Sequence, residues 1–256
     1  MKKFTKMWAI AACALFAGTA AVNAEDYTWK FVTAGDATTY AIRSDGSLWS
    51  WGWNEKGQGG NGVSERTATP TLADGNRVWK KAVGGKAYGF FLAEDGSLWA
   101  AGTHEGGVQG TNDGIDHKVL TRIGTDNDWA DMACSRFWGY SGFAIKTNGT
   151  LWAWGKNSAG QLGIGNTQAQ TAPVQVGADM DWKQVAAGCS SVLALKTDGS
   201  LWGWGFNMYS ELFGHEGKQL SPVRLGSETD WEQVVVIDFR AYAVKKDGTL
   251  WAWTSE

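Results

Sequence analysis

Cysteine, histidine and proline occur only three times each in the 256 residues. Cys13, Cys134 and Cys189 are too few for a disulfide framework, and leave at most one bridge, between the last two. His104, His117 and His215 lie in loops of different copies of the repeat described below, with no shared spacing, so no zinc signature forms and no metal or other cofactor is expected. A nucleophile elbow of the Gly-x-Ser-x-Gly kind is missing, and the glycine-rich stretches lack the Lys-Ser/Thr that makes a phosphate loop, so the chain does not read as an enzyme. After the first 24 residues no apolar run approaches the roughly 18 residues of a membrane-spanning helix. Positive charge is also scarce: the formal net charge is -3 with 23 basic and 26 acidic residues. An acidic surface repels phosphate backbones, so nucleic acid is not an expected partner.

The first 24 residues read as a secretory signal. Lys2, Lys3 and Lys6 supply the positive start, Met7 to Ala20 the apolar stretch, and Val22-Asn23-Ala24 a small-residue cleavage site. Cleavage after Ala24 places the mature protein outside the cytoplasm, secreted or periplasmic, and removing those three lysines takes the formal charge from -3 to -6.

What the sequence does have is 35 glycines and 17 tryptophans. Glycine without a collagen period, combined with so much indole, implies tight turns between strands that bury large rings. A repeat of about fifty residues organises both. Each copy opens with a tryptophan, at Trp29, Trp79, Trp129, Trp182 and Trp231, giving units at 29–78, 79–128, 129–181, 182–230 and a partial one at 231–256 within a single domain, 25–256. Further along each copy comes a turn followed by a hydroxyl residue, Leu and Trp: Asp45-Gly46-Ser47-Leu48-Trp49, Asp95-Gly96-Ser97-Leu98-Trp99, Asn148-Gly149-Thr150-Leu151-Trp152, Asp198-Gly199-Ser200-Leu201-Trp202 and Asp247-Gly248-Thr249-Leu250-Trp251.

Asp-Gly or Asn-Gly between alternating apolar runs predicts a hairpin with a type I′ turn, in which both residues take positive φ. An opening strand, the two hairpin arms and a closing segment such as Ser221 to Leu225 make a four-stranded antiparallel blade, and five blades make an all-β propeller. Alternation along the third strand sets Trp202 and Trp204 on one face and Leu201 and Gly203 on the other, which predicts indoles packing against small residues of the next copy. A buried indole is worth about 4–6 kcal/mol before entropy, so the fourteen tryptophans at repeat positions are expected in the core. Trp53 and Trp138 fall outside those positions.

The third copy, from Phe143-Ala144-Ile145-Lys146 through Trp152-Ala153-Trp154-Gly155-Lys156-Asn157 to Gly160-Gln161-Leu162-Gly163 and Pro173-Val174-Gln175-Val176, resembles the regulator of chromosome condensation repeat. The resemblance runs from Trp29 to Trp253 and implies a propeller that needs no cofactor. The family's usual propeller has seven blades. Five opening strands and hairpins but only four closing segments leave one blade short of a strand, so the ring either closes imperfectly or stays an open arc capped by another chain. The family's Gly-Gln-Leu-Gly loop is intact only in the third copy; Gly57 to Gly60, Gly106 to Gly110 and Ser210 to Gly214 stand in its place elsewhere. The nucleotide-exchange activity of the family's founding member does not transfer to an exported acidic chain.

Function is expected where the copies differ. The turns between opening strand and hairpin share one rim, and the third, Ser135 to Tyr140, is the longest. Arg136, Phe137, Trp138 and Tyr140, with Tyr88 and Arg240 from equivalent turns, form the candidate site, because aromatic and arginine side chains dominate binding hot spots. The alternative for these rings is to plug the central channel. The expected partner is an unidentified protein, as in exported propellers of this repeat type that inhibit β-lactamases. A glycan-binding propeller of the tectonin kind is the alternative, and it requires a site repeated in every copy.

Overall fold

The structure, a computed structural model, describes residues 2–4, 28–207, 217–237 and 240–253. Most of the expected signal segment with its cleavage site, and His215, Phe239 and the Ser210 to Gly214 loop, lie outside the described residues. Twenty strands form five antiparallel sheets of four. After β1 (Lys2–Phe4), the first sheet takes β2 (Trp29–Ala34), β3 (Thr38–Arg43), β4 (Leu48–Gly52) and β5 (Thr67–Asp74). The second takes β6 (Trp79–Gly84), β7 (Tyr88–Ala93), β8 (Leu98–Gly102) and β9 (His117–Arg122). The third takes β10 (Trp129–Cys134), β11 (Ser141–Lys146), β12 (Leu151–Gly155) and β13 (Gln170–Gln175), and the fourth β14 (Trp182–Ala187), β15 (Ser191–Lys196), β16 (Leu201–Asn207) and β17 (Gly217–Arg224). The fifth has β18 (Trp231–Ile237), β19 (Arg240–Lys245) and β20 (Leu250–Trp253). Its fourth place is filled by β1, with Lys2 opposite Ala252 and Phe4 opposite Leu250. The strand expected to be missing is thus supplied by the segment read as an export signal.

The five opening strands converge on a central cavity of about 180 Å³. Outward from it the first four sheets run in sequence order, and the fifth runs β18, β19, β20 and then β1. Four apolar cores join sheets one to two, two to three, three to four and four to five.

The hairpin turns show why the five-residue motif recurs. Asp95 Oδ1 accepts hydrogen bonds from the Ser97 backbone N–H (2.9 Å) and hydroxyl (2.6 Å), and the Ser97 oxygen accepts the indole N–H of Trp99 at 2.8 Å. The same relay links Asp45, Ser47 and Trp49; Asn148, Thr150 and Trp152; Asp198, Ser200 and Trp202; and Asp247, Thr249 and Trp251. Holding the acidic residue this way changes the turn. Only the glycine takes positive φ, 77° at Gly96, while Gly96 N–H bonds the Ala93 carbonyl and Ala93 N–H the Ser97 carbonyl. The connection is a four-residue turn ending in a left-handed glycine, not the expected type I′ turn.

Each motif tryptophan stands edge-on to its copy's opening tryptophan, with centroids 5.9–6.2 Å apart and planes 77–88° apart. Lys146 and Lys196 lie over the indole pairs of their copies. The same ammonium groups meet Asp126 and Asp128, and Asp179 and Asp181, at 2.6–3.0 Å.

Packing between sheets adds large residues to the expected contact of indoles with small ones. In the junction of sheets three and four, Trp182, Val185 and Trp204 meet Phe143, Ile145 and Leu151, which are branched or aromatic. Small residues lie on both faces: Ala153 of the third sheet packs into this junction as expected, while on the indole face Ala194 is opposite Trp202 and Gly142 opposite Trp154. A Cβ on Gly142 would overlap the Trp154 ring. An indole lying flat across its own sheet needs room on the adjacent strand, and the small residues provide it.

The hydrogen bond from Ser47, Ser97 or Ser200 holds its turn aspartate below the ordinary carboxylate value of 3.8. A lowered folded-state pKa stabilises the native state above the unfolded value and is lost as pH falls through the folded one. Stability is therefore expected to be flat above about pH 4 and to fall below it. Replacing Asp45, Asp95 and Asp198 by Asn, which fills this role in the third copy, keeps neutral stability and makes the acid limb of a pH-dependent urea titration shallower. An unchanged limb would show that the turns do not contribute.

Candidate functional site

Antiparallel order places the turns after β2, β6, β10 and β14 on one rim, together with the long loops that follow the third strand of the first three sheets. These loops cap neighbouring blades. The Gln161 carbonyl accepts the indole N–H of Trp204 at 2.8 Å, and the Val108 carbonyl that of Trp154 at 2.7 Å. Asn157 braces its loop through the Leu162 N–H and the carbonyls of Asn166 and Gln168. The divergent Gly106 to Gly110 segment, which overlaps a 3-10 turn at Glu105–Gly107, thus does the work of the intact Gly-Gln-Leu-Gly loop. His104 and His117 belong to one copy rather than to different ones, His104 in this loop and His117 at the start of β9, and each meets a carboxylate: Nδ1 of His104 is 2.6 Å from Asp116, and Nε2 of His117 2.8 Å from Asp113. Among the described residues no cluster of three or more metal-ligating side chains forms.

The turn between β10 and β11 is unlike the other described turns on this rim. Its root is held by the Ser135 N–H on the Ser141 carbonyl (2.9 Å), by the Ser141 hydroxyl on the Gly139 and Lys156 carbonyls, and by the Tyr88 hydroxyl on the Ser135 carbonyl at 2.6 Å. Gly139 N–H closes a tight turn onto the Arg136 carbonyl at 3.1 Å. Phe137 and Tyr140 take φ of 50° and 44°, conformations that cost non-glycine residues energy and persist only where surroundings fix them. The segment lies over the channel mouth: an Arg136 guanidinium nitrogen donates to the Ala34 carbonyl in the first blade at 3.3 Å, and Gly139 approaches the Cys189 carbonyl in the fourth.

The structure divides the six expected site residues. Phe137 and Trp138 project into solvent, 43% and 61% exposed. Arg136 stands beside them and lines the cavity. Tyr88 and Tyr140 are corrected from contact residues to supports, because both are buried, with rings 6.0 Å apart beneath the turn. Burial, with Glu105 nearby, pushes the Tyr140 hydroxyl up to about 12, so the ring stays neutral. Arg240 opens β19 in the fifth blade, exposed and on the same rim, but makes no described contact with the turn of the third. Trp53, half-buried, is tied to the first turn through the Ala37 carbonyl. Sequence reasoning missed Lys86, whose ammonium lies 3.2 Å from the centroid of the Trp138 ring. The signal for it was its place in the equivalent turn of the preceding copy.

Cys134 and Cys189 are free thiols. Cys134 is buried at the end of β10, and burial pushes its thiol up to about 12, which leaves it protonated and inert at neutral pH.

Comparison with known proteins identifies the scaffold. The family model for the regulator of chromosome condensation (RCC1) repeat matches residues 45–92 and 148–195, and a second model of the same description matches 29–58. The matched segments are RCC1 repeats, and they are set in a β-propeller. It is 29% identical to the ultraviolet-B receptor UVR8 of Arabidopsis thaliana over 163 residues, 62% of this chain and 37% of that protein. To human protein RCC2 it is 27% identical over 150 residues, 57% of this chain and 19% of that protein. The propeller thus spans well under half the length of these relatives. Among solved structures, human WBSCR16 superposes with a TM-score of 0.79 at 19% identity, over 90% of this chain and 62% of that one. Yeast RCC1 (Prp20) bound to Kap60 gives 0.76 at 19% identity, over 89% and 56%.

The division into tip and support has a direct consequence. Trp138→Ala removes an exposed ring and is expected to change the unfolding free energy by less than about 1 kcal/mol. Trp154→Ala empties a fully buried site and is expected to cost about 3–5 kcal/mol. Equal losses in denaturant titrations would show that Trp138 is part of the core.

Proposed function

We propose that this propeller is an exported protein-binding module whose contact surface is the turn from Arg136 to Trp138, flanked by Lys86. The single observation that carries the reading is an indole 61% exposed at the tip of a hydrogen-bonded turn, in a fold that otherwise uses indole to join blades. A rigid aromatic held out into water loses little entropy when a partner covers it, and a neighbouring cation supplies the polar contact. The solved relatives support a protein as the partner class: yeast Prp20 is described in complex with Kap60 and for its binding to Gsp1p and histones.

The glycan reading needs a stacking ring in every copy. The turns equivalent to Trp138 carry Asp36-Ala37, Lys86-Ala87 and Cys189-Ser190 in the first, second and fourth blades, which favours one asymmetric protein contact.

Affinity capture from the extracellular or periplasmic fraction is expected to recover a protein with the wild-type chain, and recovery is expected to drop when Phe137 and Trp138 are both Ala. A loss of about 2 kcal/mol or more, roughly thirtyfold in affinity, is the hot-spot scale. Undiminished recovery would remove the turn as the contact surface. Export is tested separately: the secreted form is expected to begin at Glu25, as read by intact-mass measurement, and a chain retaining Met1 outside the cytoplasm would refute cleavage.

A further inference from the structure

Four blade junctions in this molecule are built alike, and they define what each blade face requires. On the leading face of the fourth blade Leu193, Leu195 and Leu201 are fully buried, because Trp231 and Val234 of the fifth blade lie on them. The same three positions are buried in the first, second and third blades. On the trailing face, the opening tryptophan and the residue three further on are buried in the second to fifth blades: Trp79 with Ala82, Trp129 with Met132, Trp182 with Val185, and Trp231 with Val234.

The fifth and first blades break this pattern in complementary ways. The leading face of the fifth blade presents Tyr242, Val244 and Leu250 only half-buried. The trailing face of the first presents Trp29 at 46% and Val32 at 65% exposure. No apolar core joins these two blades among the described residues. The backbone agrees. Trp79, Trp129, Trp182 and Trp231 each donate their backbone N–H to the hairpin-turn glycine carbonyl of the preceding blade, at Gly46, Gly96, Gly149 and Gly199. A Cβ on any of those glycines would run into the following blade's connector, whereas around Gly248 in the fifth blade nothing lies within 4 Å of that position.

We infer that these two faces are a matched docking pair, and that a second copy of this chain is the occupant: the leading face of the fifth blade in one copy receives the trailing face of the first blade in the next. The chemistry of the four internal junctions carries the assignment. A leading face of one large apolar residue, one branched residue and one leucine, beside a turn-glycine carbonyl, is covered in this molecule by one kind of surface. That surface is an opening tryptophan with an aliphatic residue three positions on, and an uncovered example of it stands on the first blade. The contact is head-to-tail, so each copy keeps one free face after docking and association continues until a ring closes or the ends are capped. This surface is separate from the Trp138 turn.

Two variants, each spoiling one face, test the inference. Val32→Glu places a charge on the first blade's trailing face and Tyr242→Glu on the fifth blade's leading face. By sedimentation velocity across a dilution series, the wild-type chain is expected to form species of two and more chains, and each variant alone to stay a single chain. An equimolar mixture is expected to form two-chain species and nothing larger, because the intact fifth blade of Val32→Glu meets the intact first blade of Tyr242→Glu. Near-ultraviolet circular dichroism checks that both variants keep native packing, and Val244→Lys replaces Tyr242→Glu if it does not. A wild-type chain that stays single at every concentration overturns the inference, as does a mixture of folded variants that stays single. Loss of partner capture in the Phe137, Trp138 double variant with unchanged self-association would leave this pair of faces standing and concern only the rim.

Discussion

Blade joins blade where the hairpin turn of one copy meets the opening tryptophan of the next, and the remaining geometry of the propeller follows from that contact. The turn glycine contributes a carbonyl, free because the neighbouring carboxylate and hydroxyl have fixed the turn, and the tryptophan contributes its backbone N–H. The indole of the same tryptophan then stands edge-on to the motif indole of its own blade, whose N–H is already satisfied by the hydroxyl. A buried indole with an unmet N–H would forfeit about 1–3 kcal/mol, so the hydroxyl in the motif lets a large ring be half-buried at little cost. One residue of acid, one of glycine, one of hydroxyl and two rings therefore specify turn, strand pairing and blade contact together.

Because the repeat settles packing so locally, the rim is left free to vary. The long loops still carry an obligation, since the carbonyls of Val108 and Gln161 receive indoles from the next blade. The short turns after the opening strands carry less of it. The third accommodates extra residues there, rooted on Tyr88 and the Ser141 hydroxyl, and can lift Phe137 and Trp138 clear of the surface without disturbing a junction. Rigidity comes from buried groups below and recognition from exposed groups above, which is the arrangement a binding surface needs to lose little entropy on association.

The repeat period and the strand assignments were legible in the sequence because each rests on local pattern, glycine after an acid and alternation, but of the fourteen repeat tryptophans expected in the core the five motif rings are only half-buried and Trp29 is exposed. Three further things were not legible. The turn type was misread since Asp-Gly alone favours positive φ at both positions, and only the Ser97-type hydrogen bonds hold the acid elsewhere. The small residues beside the indoles were missed, because period-two alternation says which residues share a face but not that an indole lies down over its neighbouring strand. Tyr88 and Tyr140 were grouped with Trp138 because they share turns, yet burial depends on which way a side chain leaves the strand. At Ser141 and Gly142 the strand has already begun, and Tyr140 immediately before it points inward.

The two unfinished surfaces of the fifth blade differ in kind, and this limits what can complete them. The outer edge of β20 presents backbone donors and acceptors, and any extended segment satisfies it; β1 does so with three residue pairs and no requirement on side chains. The leading face made by Tyr242, Val244 and Leu250 presents apolar area to the neighbouring position in the ring, at right angles to that edge. An extended segment along the edge covers none of it, and a packed sheet against the face adds no hydrogen bond to the edge. Loss of residues 1–24 by processing would thus reopen the edge and leave the face as it was, so strand addition at the circumference and blade stacking around the axis are independent properties of one blade.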